Sequence, residues 1–123
     1  MSPPPSRSLR GGRAWREGHG AEWIAAIWLM AKGYRILGFR LKSRAGEIDI
    51  LARRGRVLAV VEVKRRATIQ AALEAVTPAQ TARLVAAAQQ VVHGRKALQA
   101  LELRLDTVAL APGRLPRHRR GLG

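Results

Sequence analysis

Four residues that can do chemistry together, Glu47, Asp49, Glu62 and Lys64, share the stretch GEIDILARRGRVLAVVEVKRR, residues 46–66. Carboxylates brought together on neighbouring strands repel one another and are costly to bury unpaired. A divalent cation removes that conflict. Mg²⁺ takes hard oxygen ligands, commonly one or two carboxylates with waters and phosphate oxygens completing the shell. Asp49 and Glu62 are the candidate ligands. Lys64 is placed to steady an attacking water or the charge that develops on a phosphate. Arg65 and Arg66 follow directly and are placed to hold a nucleic-acid backbone. The plainer reading is a half-exposed hairpin with Glu–Lys pairs. The runs IDIL and VLAVV are too apolar on both faces for that, so the acids are expected to be partly enclosed.

The elements that must position these groups follow from periodicity. Side chains alternate along a strand. Residues 47–52 and 57–64 read as two strands joined by the turn RRGR, residues 53–56. If Ala52 faces Val57, Glu47 lies opposite Glu62 and Asp49 opposite Val60, with all the carboxylates and Lys64 on one face. A slip of one residue would separate them. Upstream, residues 17–32 read as a helix that is apolar nearly all round, and hence buried on most sides. Glu22 interrupts that apolar run. It either complements the helix dipole, an effect of about 0.3–1 kcal/mol, or reaches the acidic site as a third carboxylate. Gly33 ends the helix and residues 34–41 form a first strand, with Gly38 at a bulge. Thr77-Pro78 supplies an N-cap and first-turn proline for a helix that runs to residue 92 or 93, before Gly94. Residues 101–110 form a last strand. The order of elements implies an α/β domain with a central mixed sheet of about four strands flanked by helices.

The 123 residues amount to one domain with one core, and 47% hydrophobic content argues for a folded chain. Residues 1–16 read as a flexible basic arm, 17–111 as the domain and 112–123 as a loose basic tail. With no cysteine there is no disulfide, thiolate metal site or thiol nucleophile. No secretory leader is visible, and the longest purely apolar run, residues 23–31, is far short of the ~20 residues that cross a bilayer. A cytoplasmic protein without membrane contact is expected.

Net charge is +15, from 23 cations, most of them arginine, against eight acids. The two terminal segments carry cations and none of the acids, yet the middle remains basic. Polyanions are the natural partners, nucleic acid first. Arg13 and Arg16 in the arm join Arg65 and Arg66 as candidate backbone contacts, and Trp15 between them is a candidate for base stacking. Trp23 and Trp28 read as core. His19, His93 and His118 have no metal-ligand spacing and read as ordinary surface or packing residues. Asp106 reads as structural, paired with Arg104 or another arginine.

The spacing from Asp49 to Glu62-Val63-Lys64 resembles the PD-(D/E)XK nuclease signature. With GAEWIAAIWLMAKGYRIL upstream and RLDTVAL downstream, residues 17–111 look like the YraN-like family of small bacterial proteins, related to archaeal Holliday-junction resolvases. That resemblance implies a restriction-endonuclease-like fold and a Mg²⁺- or Mn²⁺-dependent DNA endonuclease, with branched or junction DNA among the candidate substrates. It assigns Asp49, Glu62 and Glu22 to the metal and Lys64 to catalysis, with Glu47 supporting them. Resolvases of this kind act as dimers, which makes a homodimer an expectation. Two departures stand out. Ile48 occupies the nominal proline position, and Leu84 stands where a tyrosine would follow a match at Gln80, which sets that match aside. The competing reading is a nucleic-acid-binding module of the same fold that does not cut. A third, a subunit docking an acidic protein, has no feature of its own in the sequence.

Overall fold

A helix that is apolar on nearly every side needs a firm stop, and the first helix has one. Helix α1 spans Gly20–Ala31. Gly33, at φ +94, adopts the left-handed conformation that glycine takes without a Cβ penalty. The Gly33 N–H then bonds Met30 O, and the Tyr34 N–H bonds Leu29 O, both at 3.0 Å. This is the Schellman arrangement, and it turns the chain straight into strand β1, Arg35–Lys42. The computed structural model describes residues 20–121. The expectations placed on Arg13, Trp15, Arg16 and His19 lie outside the described residues, as does the arm itself.

Strands β2, Glu47–Arg54, and β3, Val57–Arg65, form a hairpin. A short helix α2, Ile69–Glu74, and the long helix α3, Pro78–His93, follow. Thr77 caps α3 through a reciprocal box with Gln80, and Pro78 occupies its first turn, as the Thr-Pro pair predicts. A single 3₁₀ turn, Lys96–Leu98, leads to β4, Glu102–Leu110. The segment read as a loose tail contains a fifth strand, β5, Arg117–Arg120. The sheet order is β1-β2-β3-β4-β5, with β3–β4 parallel and every other pair antiparallel. This is an α/β protein with a five-stranded mixed sheet flanked by helices. No helix among the described residues is long and apolar enough to cross a membrane.

The sheet separates two cores. On one face Ala25, Ala26 and Leu29 of α1 pack on Ile50, Ala52, Ala59, Val61 and Val108. On the other, Leu84, Ala87 and Ala88 of α3 pack on Leu51, Leu58 and Val60. Helix α1 is less enclosed than its composition suggests. Trp23, Ile24, Ile27 and Met30 are 39–59% exposed, and Trp28 is half-buried, because one sheet face covers only one side of a helix. Trp23 stacks at a tilt on Phe39 of β1, with ring centroids 5.2 Å apart.

The register of the hairpin differs from the sequence expectation. Arg54 pairs with Val57 and Ile50 with Val61, an offset of two residues from the expected alignment. The turn is the two-residue Gly55–Arg56, and Gly55, at φ +61, takes the first central position that a type II′ turn reserves for glycine. An offset of two preserves parity, so the acids of the two strands still meet, with different partners. The bulge expected at Gly38 is present, as a register shift between Ile36 and Gly38.

Candidate functional site

The acidic site lies where the regular alternation of β2 breaks. Ile50 and its partner Phe39 belong to the α1 side of the sheet. The next pair, Leu41–Ile48, belongs to the α3 side. Simple alternation would keep Ile48 and Ile50 together, so the ribbon turns over between them. Asp49 sits at that point on β2. Arg40 sits there on β1 and has φ +50, unlike every other non-glycine residue described. Such a conformation costs an L-residue roughly 1–2 kcal/mol. The flat single face expected for Glu47, Asp49 and Leu51 is thereby corrected, and Asp49 stands between the two layers.

The β2–β3 ladder ends at Ile50–Val61, before either strand does. Beyond it the Asp49 Oδ2 accepts a hydrogen bond from the Val63 N–H at 2.8 Å. The side chain thus satisfies a backbone donor that the antiparallel ladder no longer serves. It also brings the Asp49 carboxyl against Glu62, and the two share a hydrogen bond. Burial, that hydrogen bond and the charge of Asp49 push Glu62 up to about 8, against the opposing pull of Lys64 and Arg83. Glu62 thus retains its proton where an isolated carboxyl would have lost it.

Glu22, in the first turn of α1, is half-buried. Its carboxyl is raised by burial first, then by Asp49 and Glu47, while Arg40 lowers it. It therefore belongs to the same electrostatic neighbourhood. Glu47 makes a long, half-exposed ion pair with Arg40, Nε to Oε1 3.9 Å, and shares with Glu62 a cleft of about 170 Å³ lined also by Gln80, Arg83 and Leu84. Lys64 lies close enough to Glu62 to oppose its shift. Arg65 and Arg66 are exposed just past the end of the site, and the Arg66 N–H bonds Leu110 O at 3.0 Å.

The structure thus brings Asp49, Glu62 and Lys64 together, with Glu22 beside them. Among the described residues, no group of three or more His, Cys, Asp or Glu side chains is arranged to hold a metal ion. The chemistry of the donor set still fits a hard cation bound through two carboxylates with waters completing the shell. A further polar group faces the pair. Thr107 is the β4 partner of Glu62 in the parallel register and is fully buried, and its hydroxyl has no hydrogen-bond partner among the described groups.

Sequence reasoning missed Arg83 and Arg40. Arg83 had a signal, being the one charged residue besides His93 in PAQTARLVAAAQQVVH. Arg40 had none, because its role depends on where the ribbon turns over. Gln80 lines the cleft, but its Oε1 accepts from the Thr77 N–H at 3.2 Å and its side chain serves the helix cap.

The model for "Uncharacterised protein family UPF0102" matches residues 21–110. The chain belongs to that family. A UPF0102 protein of Caulobacter vibrioides (strain NA1000 / CB15N) is 60% identical over 112 residues, covering 91% of this chain and 90% of the relative. Those of Rhodopseudomonas palustris (strain HaA2) and Maricaulis maris (strain MCS10) are 50% and 48% identical, covering 85% and 88% of this chain and 82% and 85% of the relatives. In UPF0102 terms, the matched span runs from α1 through β4. It takes in Glu22, Asp49, Glu62 and Lys64, and stops short of β5.

Proposed function

We propose that this protein is a divalent-metal-dependent endonuclease of the PD-(D/E)XK type that hydrolyses phosphodiester bonds in DNA, with branched or junction DNA among its substrates. The observation that carries the reading is the Asp49–Glu62 pair. Two carboxyls are held in contact, one by a backbone donor, and burial and the neighbouring Asp49 keep a proton on Glu62. A structural role gains nothing from such a conflict, whereas cation binding resolves it.

Asp49 and Glu62 would hold Mg²⁺ or Mn²⁺, and Glu22, in the same electrostatic neighbourhood, would assist them. When bound, the ion supplies Lewis-acid stabilisation of phosphate oxygens and lowers the pKa of water. The Val63 N–H fixes the orientation of Asp49. The Lys64 ammonium donates to the attacking water or a non-bridging phosphate oxygen, where negative charge grows in the transition state. Arg83, across the cleft from β3, is placed to accept the scissile phosphate alongside Glu62. Arg65 and Arg66 hold the flanking backbone.

The test is cleavage of linear, single-stranded and four-way-junction DNA in Mn²⁺ by the wild type and by Glu62→Gln, Asp49→Ala and Lys64→Ala. Cleavage of at least one substrate is expected, with losses of at least ~10²-fold in each variant, the scale of removing one charge-stabilising group. Failure of the wild type on the whole panel overturns the proposal, and so does cleavage that survives every substitution.

The lack of a three-carboxylate cluster among the described residues favours a second reading, a nucleic-acid-binding module that does not cut. Salt-dependent DNA binding unaffected by Asp49→Asn, without cleavage, would select it.

A further inference from the structure

Three clefts border the segment that follows β4. The first, about 520 Å³, opens between Gly20, Ile24, Arg65 and Arg114. It shares Pro112, Arg114 and Pro116 with a second, about 630 Å³, which continues to Thr68 and Arg117. A third, about 720 Å³, lies between Arg119, Arg120 and the start of α3 at Thr77 and Thr81. Among the described residues no acid lines any of them, whereas the cleft of the acidic site carries both Glu47 and Glu62. Arg65, Arg114, Arg117, Arg119 and Arg120 are all exposed.

Strand β5 is held to the sheet by more than its short ladder. Asp106 of β4, fully buried, accepts from the His118 Nε2–H at 2.7 Å and from the Gly121 N–H at 3.0 Å. On its other side His118 Nδ1 accepts from Lys32 at the end of α1. With His118 pinned inward, its strand neighbours Arg117 and Arg119 are held outward. Short, charged edge strands also discourage strand addition by other molecules. That accounts for the composition of β5, but not for Arg65 and Arg114, which lie outside it on the same acid-free clefts.

We infer that β5 and the 111–116 loop form a track for the phosphate backbone of DNA, leading to the Asp49–Glu62 site. A small phosphorylated ligand calls for donors converging in one enclosed pocket. Here the guanidinium groups are spread over open clefts, two of which share Pro112, Arg114 and Pro116, and this suits an extended polyanion. The track ends at Gly20 and Arg65 on the α1 side, at the same end of β3 as Lys64, so a backbone that rounds the end of that strand reaches the acidic pair. The destination of the track rests on the nuclease reading, while its existence does not. Leu115, 76% exposed at the loop, makes an anionic lipid surface the competing partner. The concave shape of the clefts favours the polymer.

Binding of a labelled 30-base-pair duplex to the full chain, in EDTA and across 50–200 mM salt, tests the inference. The variants are Arg117→Gln/Arg119→Gln and, in the loop outside both strands, Arg114→Gln. The slope of log K against log salt is expected to shrink by about 0.9 for each phosphate that a variant no longer neutralises. Unaltered slope and affinity in both sets of arginine variants overturns the track, as does a loss confined to phosphatidylserine vesicles with duplex binding intact. A wild type that binds with the expected slope but never cuts refutes the nuclease reading and upholds the track. Cleavage lost in Asp49→Ala alongside unaltered arginine variants does the reverse.

Discussion

Asp106 and the Asp49–Glu62 pair are both acids enclosed by the sheet, and they are solved in opposite ways. Both Asp106 oxygens are used. Arg104 donates to each at 2.8 Å, and His118 and Gly121 add one bond apiece. Arg104 also reaches the hydroxyl of Tyr34, whose ring meets His118 edge-on. Burial alone would raise Asp106, but the bonds from His118, Arg104 and Gly121 outweigh it and bring the carboxyl down to about 2. Glu62 faces another acid instead of a cation and is pushed the other way, to about 8. A satisfied buried network fixes structure, whereas a conflict between buried acids is the kind of arrangement that functional sites concentrate. Acids in one small sheet are thus held fully paired with cations at one position and set against each other at the other.

The largest effect expected from attacking this contrast is at Asp106. Asp106→Ala leaves Arg104 and His118 facing each other without an acceptor. Breaking a buried ion pair from one side costs roughly 3–5 kcal/mol, a large share of the ~5–15 kcal/mol that holds a typical domain. Urea denaturation checks it, and a loss below about 1 kcal/mol would reduce Asp106 to an ordinary surface acid.

At the acidic pair the substitution works in the opposite direction. Glu62→Gln is expected to raise stability at pH 8 by about 1.5–3 kcal/mol, the scale of a hydrogen bond to a charged group, while removing the proposed cleavage. The pH windows separate the two sites further. The folded protein holds a proton on Glu62 that the unfolded chain releases, so stability falls as pH rises from about 4.5 towards about 8. Asp106 is depressed, so its contribution is complete above about 3.8 and is lost as pH falls through about 2. Thermal melts of the wild type should show both slopes, and Glu62→Gln should keep only the acid one. Mn²⁺ at a hundred times its Kd should add about 2.7 kcal/mol to the wild type at pH 8 and much less to Glu62→Gln. A melting temperature indifferent to Mn²⁺ would count against the site.

The smallest effect is expected at Arg40. Its ion pair with Glu47 is half-exposed, and such pairs contribute about 0–1 kcal/mol. Arg40→Gly also relieves the positive φ, so stability should move by less than about 1 kcal/mol. The readout that separates Arg40 from an ordinary surface residue is Glu22, whose carboxyl should titrate higher once Arg40 is gone.

Local chemistry carried most of the elements. Thr77-Pro78, Gly33 and the apolar alternation of β3 act over a few residues, and each element they mark is present. The meeting of Asp49 with Glu62 was legible because parity survives an offset of two. The offset itself was hidden by reading RRGR as the turn, although glycine in the first central position is the signal for the shorter one. Strand β5 was not legible. RHRR carries no apolar pattern, and its place is set by Asp106 and by Lys32, which contacts His118 across 86 positions of sequence. The exposed side of α1 was hidden for a similar reason, since composition does not say how many faces of a helix the fold will cover.

The parallel pairing of β3 with β4 has a consequence for how the chain is made. Strands β1 to β3 are neighbours in sequence and can assemble as they leave the ribosome, whereas β3 gains its second partner only after α2, α3 and the 3₁₀ turn have been synthesised. At about 5–20 residues per second, Leu58 and Val60 wait on the order of seconds without the helix and strand that finally cover them. Non-local pairing of this kind slows folding, so the nascent chain carries a sticky, half-built sheet through that interval. His118 and Gly121 are synthesised after Asp106 and reach it later still. A chain truncated before residue 117 would emerge with its acidic cleft built and its final seam open.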